Sequence, residues 1–198
     1  SLWGWGTNTF GQLGDGTTIS RLYPVQIGTS SWTMVSAGLQ YTTAIRTDGA
    51  LFTWGSNTNA ELGDGTTVNK SSPVQIGSDS WSQVSGGYSH TSAIRTDGSL
   101  FTWGSNTYGQ LGDGTTVNKS SPIQVGSLSY TKVSCNGLHT TAIESSMGNL
   151  FVWGFNQFGQ LGDGTTVNKS SPVQIATDSW SIISNGISFT TSIRSDGG

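Results

Sequence analysis

The chain has 198 residues, 33% hydrophobic and 10% charged, with a formal net charge of −3 at pH 7. That balance leaves no basic stripe to hold a phosphate backbone, so no nucleic-acid partner is expected. No apolar run approaches the ~20 residues of a membrane-spanning helix, so membrane insertion is not expected either.

The charged fraction is far below the ~25% usual for soluble domains. Ser, Thr, Asn and Gly fill the positions where Lys and Glu would stand. Such a neutral polar surface is associated with extracellular, cell-surface or virion proteins, and a bacterial or viral source fits it. Ser1 is not a translation start and no charged and apolar leader follows it, so the chain is expected to be cut, processed or part of something longer.

From Leu13 the segment "LGDGTTISRLYPVQI" introduces a pattern that returns three times: as "LGDGTTVNKSSPVQI" from Leu62, as "LGDGTTVNKSSPIQV" from Leu111, and from Leu161 in the same letters as at Leu62. These leucines stand 49, 49 and 50 residues apart. Trp5, Trp54, Trp103 and Trp153 keep the same steps, as do Trp32, Trp81, Tyr130 and Trp180. The additional residue falls where "IRTDGSL" becomes "IESSMGNL", around Ser145 to Met147, in a turn that absorbs it more easily than a strand would. A fixed period decides the architecture before any local reading.

Within the second unit, "LFTWG" from Leu51 reads as a short strand ending in Gly. After the Gly-Asp-Gly loop, "PVQI" starts a second strand at Pro73, the position where a missing donor does least harm. "WSQVSGG" from Trp81 and "HTSAIRT" from His90 alternate with the period of half-buried strands. Asp97-Gly98 between them and the next "LFTWG" predicts a type I′ hairpin. Each unit, at about 2–50, 51–99, 100–149 and 150–198, therefore holds four short strands and no helix. Four antiparallel strands per ~50 residues, repeated, predict an all-β fold, a β-propeller in which each repeat supplies a blade and the Trp residues fill the space between blades.

Together, "LFTWGSNTYGQLGDGTT", a Pro-Val-Gln strand, "WSQVS" and "GGYSHTSAIRTDG" resemble the repeat of the regulator of chromosome condensation family, and the resemblance recurs in every unit. It implies a propeller usually of seven blades, of which this chain supplies four. The four could close as a small ring, pair across two chains, or belong to a longer propeller or array. The last is the expectation, because the chain stops in mid-hairpin after "IRSDGG", one residue before a fifth unit would start. An open strand edge there needs a partner.

The name-giving member of that family is a nucleotide-exchange factor for the Ran GTPase that also binds chromatin, and its activity depends on features beyond the repeat, including an inserted wedge. No insertion longer than one residue interrupts the period here, so nucleotide exchange is not expected, and fold alone would be a poor warrant for it. Nor is other enzymatic activity: no catalytic residue, metal site or cofactor is anticipated. The two histidines, His90 and His139, share a repeat position with Tyr41 and Phe189, which a catalytic base would not do; they read as packing residues with a polar tip or as ligand contacts. Asp15, Asp64, Asp113 and Asp163 resemble a fragment of a calcium loop, but a calcium site needs six to eight oxygens and each loop offers one carboxylate, so a turn role is expected. Cys135 stands alone and reads as a small buried residue.

Three features remain as candidate contacts. "NKS" makes Asn69, Asn118 and Asn168 N-glycosylation sequons or plain polar turns. Phe10, Tyr108 and Phe158 share one position, broken by Asn59, where rings either stack on sugars or pack between blades. The segments "AGLQY", "GGYSH", "CNGLH" and "NGISF" differ most between units, which puts Gln40, Tyr41, Tyr88, His90, Leu138, His139, Ile187 and Phe189 forward as partner contacts on a copied scaffold. The resulting expectation is a non-enzymatic structural or protein-interaction propeller that binds a protein partner or further copies of itself. The alternatives are a multivalent glycan or receptor binder, in which copied weak sites add up, and a protein-inhibitor propeller like the secreted β-lactamase inhibitor of the resembled family.

Overall fold

The computed structural model describes residues 1–195; the last three residues of "IRSDGG", on which the expected open hairpin rests, lie outside the described residues. The strands are β1 (Leu2–Gly6), β2 (Arg21–Ile27), β3 (Trp32–Ala37), β4 (Tyr41–Arg46), β5 (Leu51–Gly55), β6 (Lys70–Gln75), β7 (Trp81–Gly86), β8 (His90–Arg95), β9 (Ser99–Gly104), β10 (Lys119–Asn136), β11 (His139–Glu144), β12 (Leu150–Gly154), β13 (Lys169–Ile175), β14 (Trp180–Asn185) and β15 (Thr190–Arg194). No helix forms among the described residues, so none is present there that could cross a membrane.

The strands group into antiparallel blades. β3 to β6 make one blade. β7, β8, β9 and the first part of β10 make the next, and the rest of β10 with β11, β12 and β13 a third. β10 runs unbroken for 18 residues. It pairs with β9 over Lys119–Ser129 and with β11 over Tyr130–Asn136, which joins those two blades into one seven-stranded sheet. At the two ends stand half-blades. β1–β2 occupies the third and fourth strand positions, as β5–β6 does, and β14–β15 the first and second, as β3–β4 does. Among the described residues the sheets do not close into a ring.

Blade and sequence unit are therefore half a period out of phase. Each whole blade takes its two inner strands from one unit and its two outer strands from the next, which corrects the expectation of one blade per repeat. First strands of neighbouring blades lie side by side around the inner edge. There Gly86 N donates to Ser36 Oγ at 3.0 Å, Cys135 N to Ser85 Oγ at 2.9 Å and Asn185 N to Ser134 Oγ at 3.1 Å.

Two local expectations are also corrected. Asp97-Gly98 is not a type I′ turn, because only Gly98 takes a positive φ, 88°. Gly98 N donates to Arg95 O at 3.0 Å, closing a type I turn followed by a left-handed Gly, the three-residue hairpin. Pro73 does not begin its strand: β6 starts at Lys70, and the register slips between the Thr53↔Val74 and Gly55↔Lys70 pairs. The Pro is tolerated because it sits in that bulge on the fourth, outermost strand, where no ladder donor is required.

The core lies between blades. Trp54, Trp103 and Trp153 are fully buried. Across the first whole interface Ile45, Leu51 and Ile76 pack against Trp81, Val84, Ala93, Phe101 and Trp103. Each buried indole is also addressed to the preceding blade: Trp54 Nε1 donates to Gln12 O at 2.9 Å, Trp103 Nε1 to Glu61 O at 2.8 Å and Trp153 Nε1 to Gln110 O at 2.9 Å. The indole lies flat on a glycine of that same loop. Gly14, Gly63 and Gly112 have φ of 80°, 73° and 75°, and a Cβ on them would fall 2.6 to 2.7 Å from the Trp Nε1. No side chain larger than hydrogen fits there.

Candidate interaction surfaces

The copied "LGDGTT" loop is built around a buried asparagine. Asn57 Nδ2 donates to Asp64 Oδ1 and to Thr66 O, both at 3.0 Å, while its Oδ1 accepts Leu62 N at 2.9 Å. Asn8, Asn106 and Asn156 repeat the arrangement. Asp64 further accepts Thr66 N at 2.9 Å and Thr66 Oγ1 at 2.7 Å, and pairs with Lys70 Nζ at 3.3 Å. Burial pushes these carboxyls up, but the hydrogen bonds from Thr, Asn and the basic residue outweigh it. Asp15 and Asp163 are held at about 2, and Asp64 and Asp113 are lowered in the same direction. Each Asp is thus spent on its own loop, and among the described residues no group of three or more His, Cys, Asp and Glu gathers.

The sequon asparagines belong to the same loop. Asn69, Asn118 and Asn168 each accept, through Oδ1, the backbone N–H of the hub asparagine of their own loop (Asn57, Asn106, Asn156) at 2.8 Å. In the first unit Ser20 Oγ takes that place toward Asn8 N at 3.2 Å, which accounts for the missing sequon there.

Tyr41, His90 and His139 do not face a partner: they are buried struts between blades. Tyr41 Oη donates to His90 O at 2.5 Å and accepts Thr91 Oγ1 at 3.1 Å. His90 Nε2 lies 2.9 Å from Thr140 Oγ1, and His139 Nε2 the same distance from Thr190 Oγ1. Burial holds His90 at about 3, with His139 nearby adding to the effect, and burial holds His139 at about 4. Both imidazoles are therefore neutral and inaccessible, which removes these three residues from the candidate contacts. Phe189, at the same position in the last unit, is exposed.

The other candidates divide. Phe10 and Tyr108 are half-buried and Phe158 is exposed. Tyr108 packs edge-on against Phe155 at 4.9 Å between ring centroids, and Phe155 against Phe158 at 5.9 Å, so one short aromatic row crosses two blades. Sequence reasoning missed Phe155, although the change from Ser56 and Ser105 to Phe at that position was visible.

The variable segments do meet. Leu39, Tyr88 and Ile187 occupy one repeat position and stay exposed, and together they rim a cleft of roughly 360 Å³ at the inner edge, floored by Ala37, Gly86, Cys135 and Asn136. Gln40 is exposed beside them and Leu138 half-buried. Leu39 shares the repeat position of the expected contacts Tyr88 and Ile187 but was not itself among them. Between neighbouring blades, a groove of roughly 650 Å³ lined by Asp64, Trp81 and Pro122 recurs, at roughly 420 Å³, at Asp15, Trp32 and Pro73.

Comparison with known proteins places this geometry. The family model described as "Regulator of chromosome condensation (RCC1) repeat" matches residues 1–45, 48–94, 97–143 and 147–192. No individual curated protein matches the chain. Among solved structures, human WBSCR16 is similar at 22% identity and a TM-score of 0.82, over 98% of this chain and 55% of that one. Yeast RCC1 (Prp20), solved bound to Kap60, is similar at 18% identity and 0.85, over 96% and 49%. Prp20p from Saccharomyces cerevisiae, whose structure was described with its binding to Gsp1p and histones, is similar at 19% identity and 0.83, over 96% and 50%. The chain spans about half the length of these structures, and at such identities the likeness is one of fold.

Proposed function

We infer that this chain, which belongs to the regulator of chromosome condensation repeat family, works as a non-enzymatic protein-interaction propeller module. The observation that carries the reading is the inner-edge cleft. The segments that differ most between otherwise copied units converge there, and they expose Leu39, Tyr88 and Ile187 side by side. Apolar side chains held on a rigid rim suit a protein partner, because a few large side chains in a desolvated patch supply most interface energy. Yeast RCC1, a protein of this fold, was solved with a protein partner. A period interrupted by no insertion longer than one residue supports a role other than nucleotide exchange, and the low charged fraction supports an extracellular, cell-surface or virion setting.

The test is a photo-crosslinking residue placed at Tyr88 in the source cells or particles, followed by affinity measurement with the partner so identified. A Leu39→Glu/Tyr88→Glu/Ile187→Glu variant should keep the wild-type melting temperature and lose at least tenfold in affinity. Wild-type affinity in that variant would overturn the reading.

A second reading rests on a separate observation, the Tyr108–Phe155–Phe158 row, whose ring faces suit the apolar face of a sugar. Glycan-array binding that Phe158→Ala abolishes would favour it over the first.

A further inference from the structure

The first strand of each blade turns into the second through a glycine at one repeat position, Gly38, Gly87, Gly137 or Gly186. Three of these glycines close the turn in the same way: Gly38 N donates to Tyr41 O at 2.9 Å, Gly87 N to His90 O at 2.8 Å and Gly186 N to Phe189 O at 2.8 Å. The remaining turn is built differently. Asn136 pairs with His139, which leaves Gly137 and Leu138 as the turn, and Gly137 is the one glycine of the four with a left-handed φ, 55°. Its N–H donates to the side chain of the residue before it, Asn136 Oδ1, at 2.8 Å.

Asn-Gly occurs at two places in the chain, here and at Asn185-Gly186, and both fall on the same repeat position. At the second the groups are held apart. Asn185 is buried, its Nδ2 donates to Ser134 O at 2.8 Å and its Oδ1 accepts Thr141 Oγ1 at 2.8 Å, while Gly186 N is committed to Phe189 O. Carboxamide and backbone nitrogen are thus each tied to another partner. At Asn136 the side chain is exposed and the two groups are bonded to each other.

An asparagine followed by glycine is open to attack by the next backbone nitrogen, because glycine has no side chain to keep that nitrogen away from the carboxamide. Such an intramolecular step gains most where the reacting atoms are held about 3–3.5 Å apart. The bond to Oδ1 sets the Gly137 nitrogen beside the Asn136 carboxamide, and the broad χ2 of asparagine lets the carbonyl carbon turn its face toward it.

We propose that Asn136 is a site of intramolecular deamidation, with the Gly137 nitrogen as nucleophile, and that the conversion changes what the inner-edge cleft accepts. The Gly137 nitrogen gives its proton to solvent and attacks Asn136 Cγ. The new C–N bond closes a cyclic imide, and Nδ2 takes up a proton and leaves as ammonia. Water then adds to one of the two imide carbonyls and reopens the ring to aspartate or isoaspartate. The sum is one amide and one water going to one carboxylic acid and one ammonia, with nothing oxidised or reduced.

The product lies on the floor of the cleft that Leu39, Tyr88 and Ile187 rim. No Asp, Glu, Lys or Arg stands among the described residues that line it, so the carboxylate is the first charge there. An apolar partner seated over it would cover a charge with no counterion, which is costly. The isoaspartate form also lengthens the main chain just before Gly137, whose carbonyl oxygen accepts Tyr88 N at 2.9 Å and so helps to set the rim.

Peptide mapping by mass spectrometry of the full chain, stored folded in neutral buffer, tests the site. Asn136 should convert at least ~tenfold faster than Asn185. In denaturant, where both pairs lose their partners, the two rates should come together. Asn136→Gln, at an exposed position, should keep the wild-type melting temperature and abolish the acidic species that separates on ion exchange. No conversion at Asn136, or equal rates at the two asparagines in the folded chain, would overturn the site. The effect on the cleft rests on the functional reading above and is measured with the partner crosslinked from Tyr88. Asn136→Asp should fold as the wild type does and bind that partner at least ~tenfold more weakly; wild-type affinity in Asn136→Asp would overturn the effect. Failure of the functional reading shows separately, as wild-type affinity in Leu39→Glu/Tyr88→Glu/Ile187→Glu, and the mapping reads the site with no partner present.

Discussion

Trp103 Nε1 donates to the carbonyl oxygen of Glu61 at 2.8 Å, across a boundary between blades and 42 residues back along the chain. The bond turns a space-filling ring into a directional one, because the indole satisfies its N–H only when the preceding loop is folded. Trp103→Ala removes a fully buried side chain and should destabilise by about 3–5 kcal/mol. Trp103→Phe keeps most of the apolar area but leaves the carbonyl one donor short, and should cost less, about 1–3 kcal/mol. Chemical denaturation of the two variants checks the order.

The glycine under that ring should be as sensitive. Gly63 has φ 73°, and a Cβ there would lie 2.6 Å from Trp103 Nε1. Gly63→Ala combines backbone strain with a clash and should cost at least ~2 kcal/mol. Gly77, also at positive φ (62°), has as nearest neighbour Asp79 Oδ2 at 3.7 Å. Gly77→Ala should therefore carry the strain alone and melt at a higher temperature than Gly63→Ala.

Asn57→Ala should open its loop. The side chain is fully buried and serves as donor to Asp64 and Thr66 and as acceptor for Leu62 N. Losing it strands a buried N–H as well as the acceptors, a loss of at least ~2 kcal/mol. Limited proteolysis should cut the variant between Leu62 and Lys70 at protease concentrations that leave the wild type whole.

Acid should weaken the fold well above the carboxylate range. His90 is held at about 3 and His139 at about 4, each by burial, against about 6.5 when unfolded. The folded values are depressed, so the unfolded chain takes up protons first. Stability is full above pH ~6.5 and falls as pH drops toward the folded values, by up to about 1.4 kcal/mol per pH unit for each His. Below pH ~3.8 the loop aspartates, two of them held at about 2, add a further loss of the same sign. His90→Tyr/His139→Tyr copies the residue that the first unit already carries at Tyr41 and should flatten the slope between pH 6.5 and 4. Melting temperature across that range is the readout, and an unchanged slope would mean that the imidazoles are charged in the folded chain.

Much of this was legible in the letters, because a 49-residue period exposes every equivalent position at once. The strands at "LFTWG", "WSQVS" and "HTSAIR" were found by alternation, and the Trp positions by their return. What periodicity cannot reveal is its own phase: any window of 49 residues repeats equally well, and only hydrogen bonding shows that β3–β4 pairs with the β5–β6 of the following unit. The Asp97-Gly98 turn was misread because that pair also suits the last two residues of a three-residue loop. Tyr41, His90 and His139 looked like contacts because they vary. The requirement at that position is an aromatic with a polar tip in reach of the next blade's threonine, and Tyr and His both meet it. The inner-edge cleft was legible in its segments and in two of its three exposed residues, Tyr88 and Ile187, but not in Leu39.

The half-period stagger also bears on how such a chain changes over generations. Every interior unit is shared by two blades, giving its outer strands to one and its inner strands to the next, so a unit duplicated or lost in the gene leaves each remaining blade with one half of each kind. The identical letters of Leu62–Ile76 and Leu161–Ile175 are what recent copying would leave. Recombination can thus lengthen or shorten the arc by whole blades without spoiling a hydrogen-bond register.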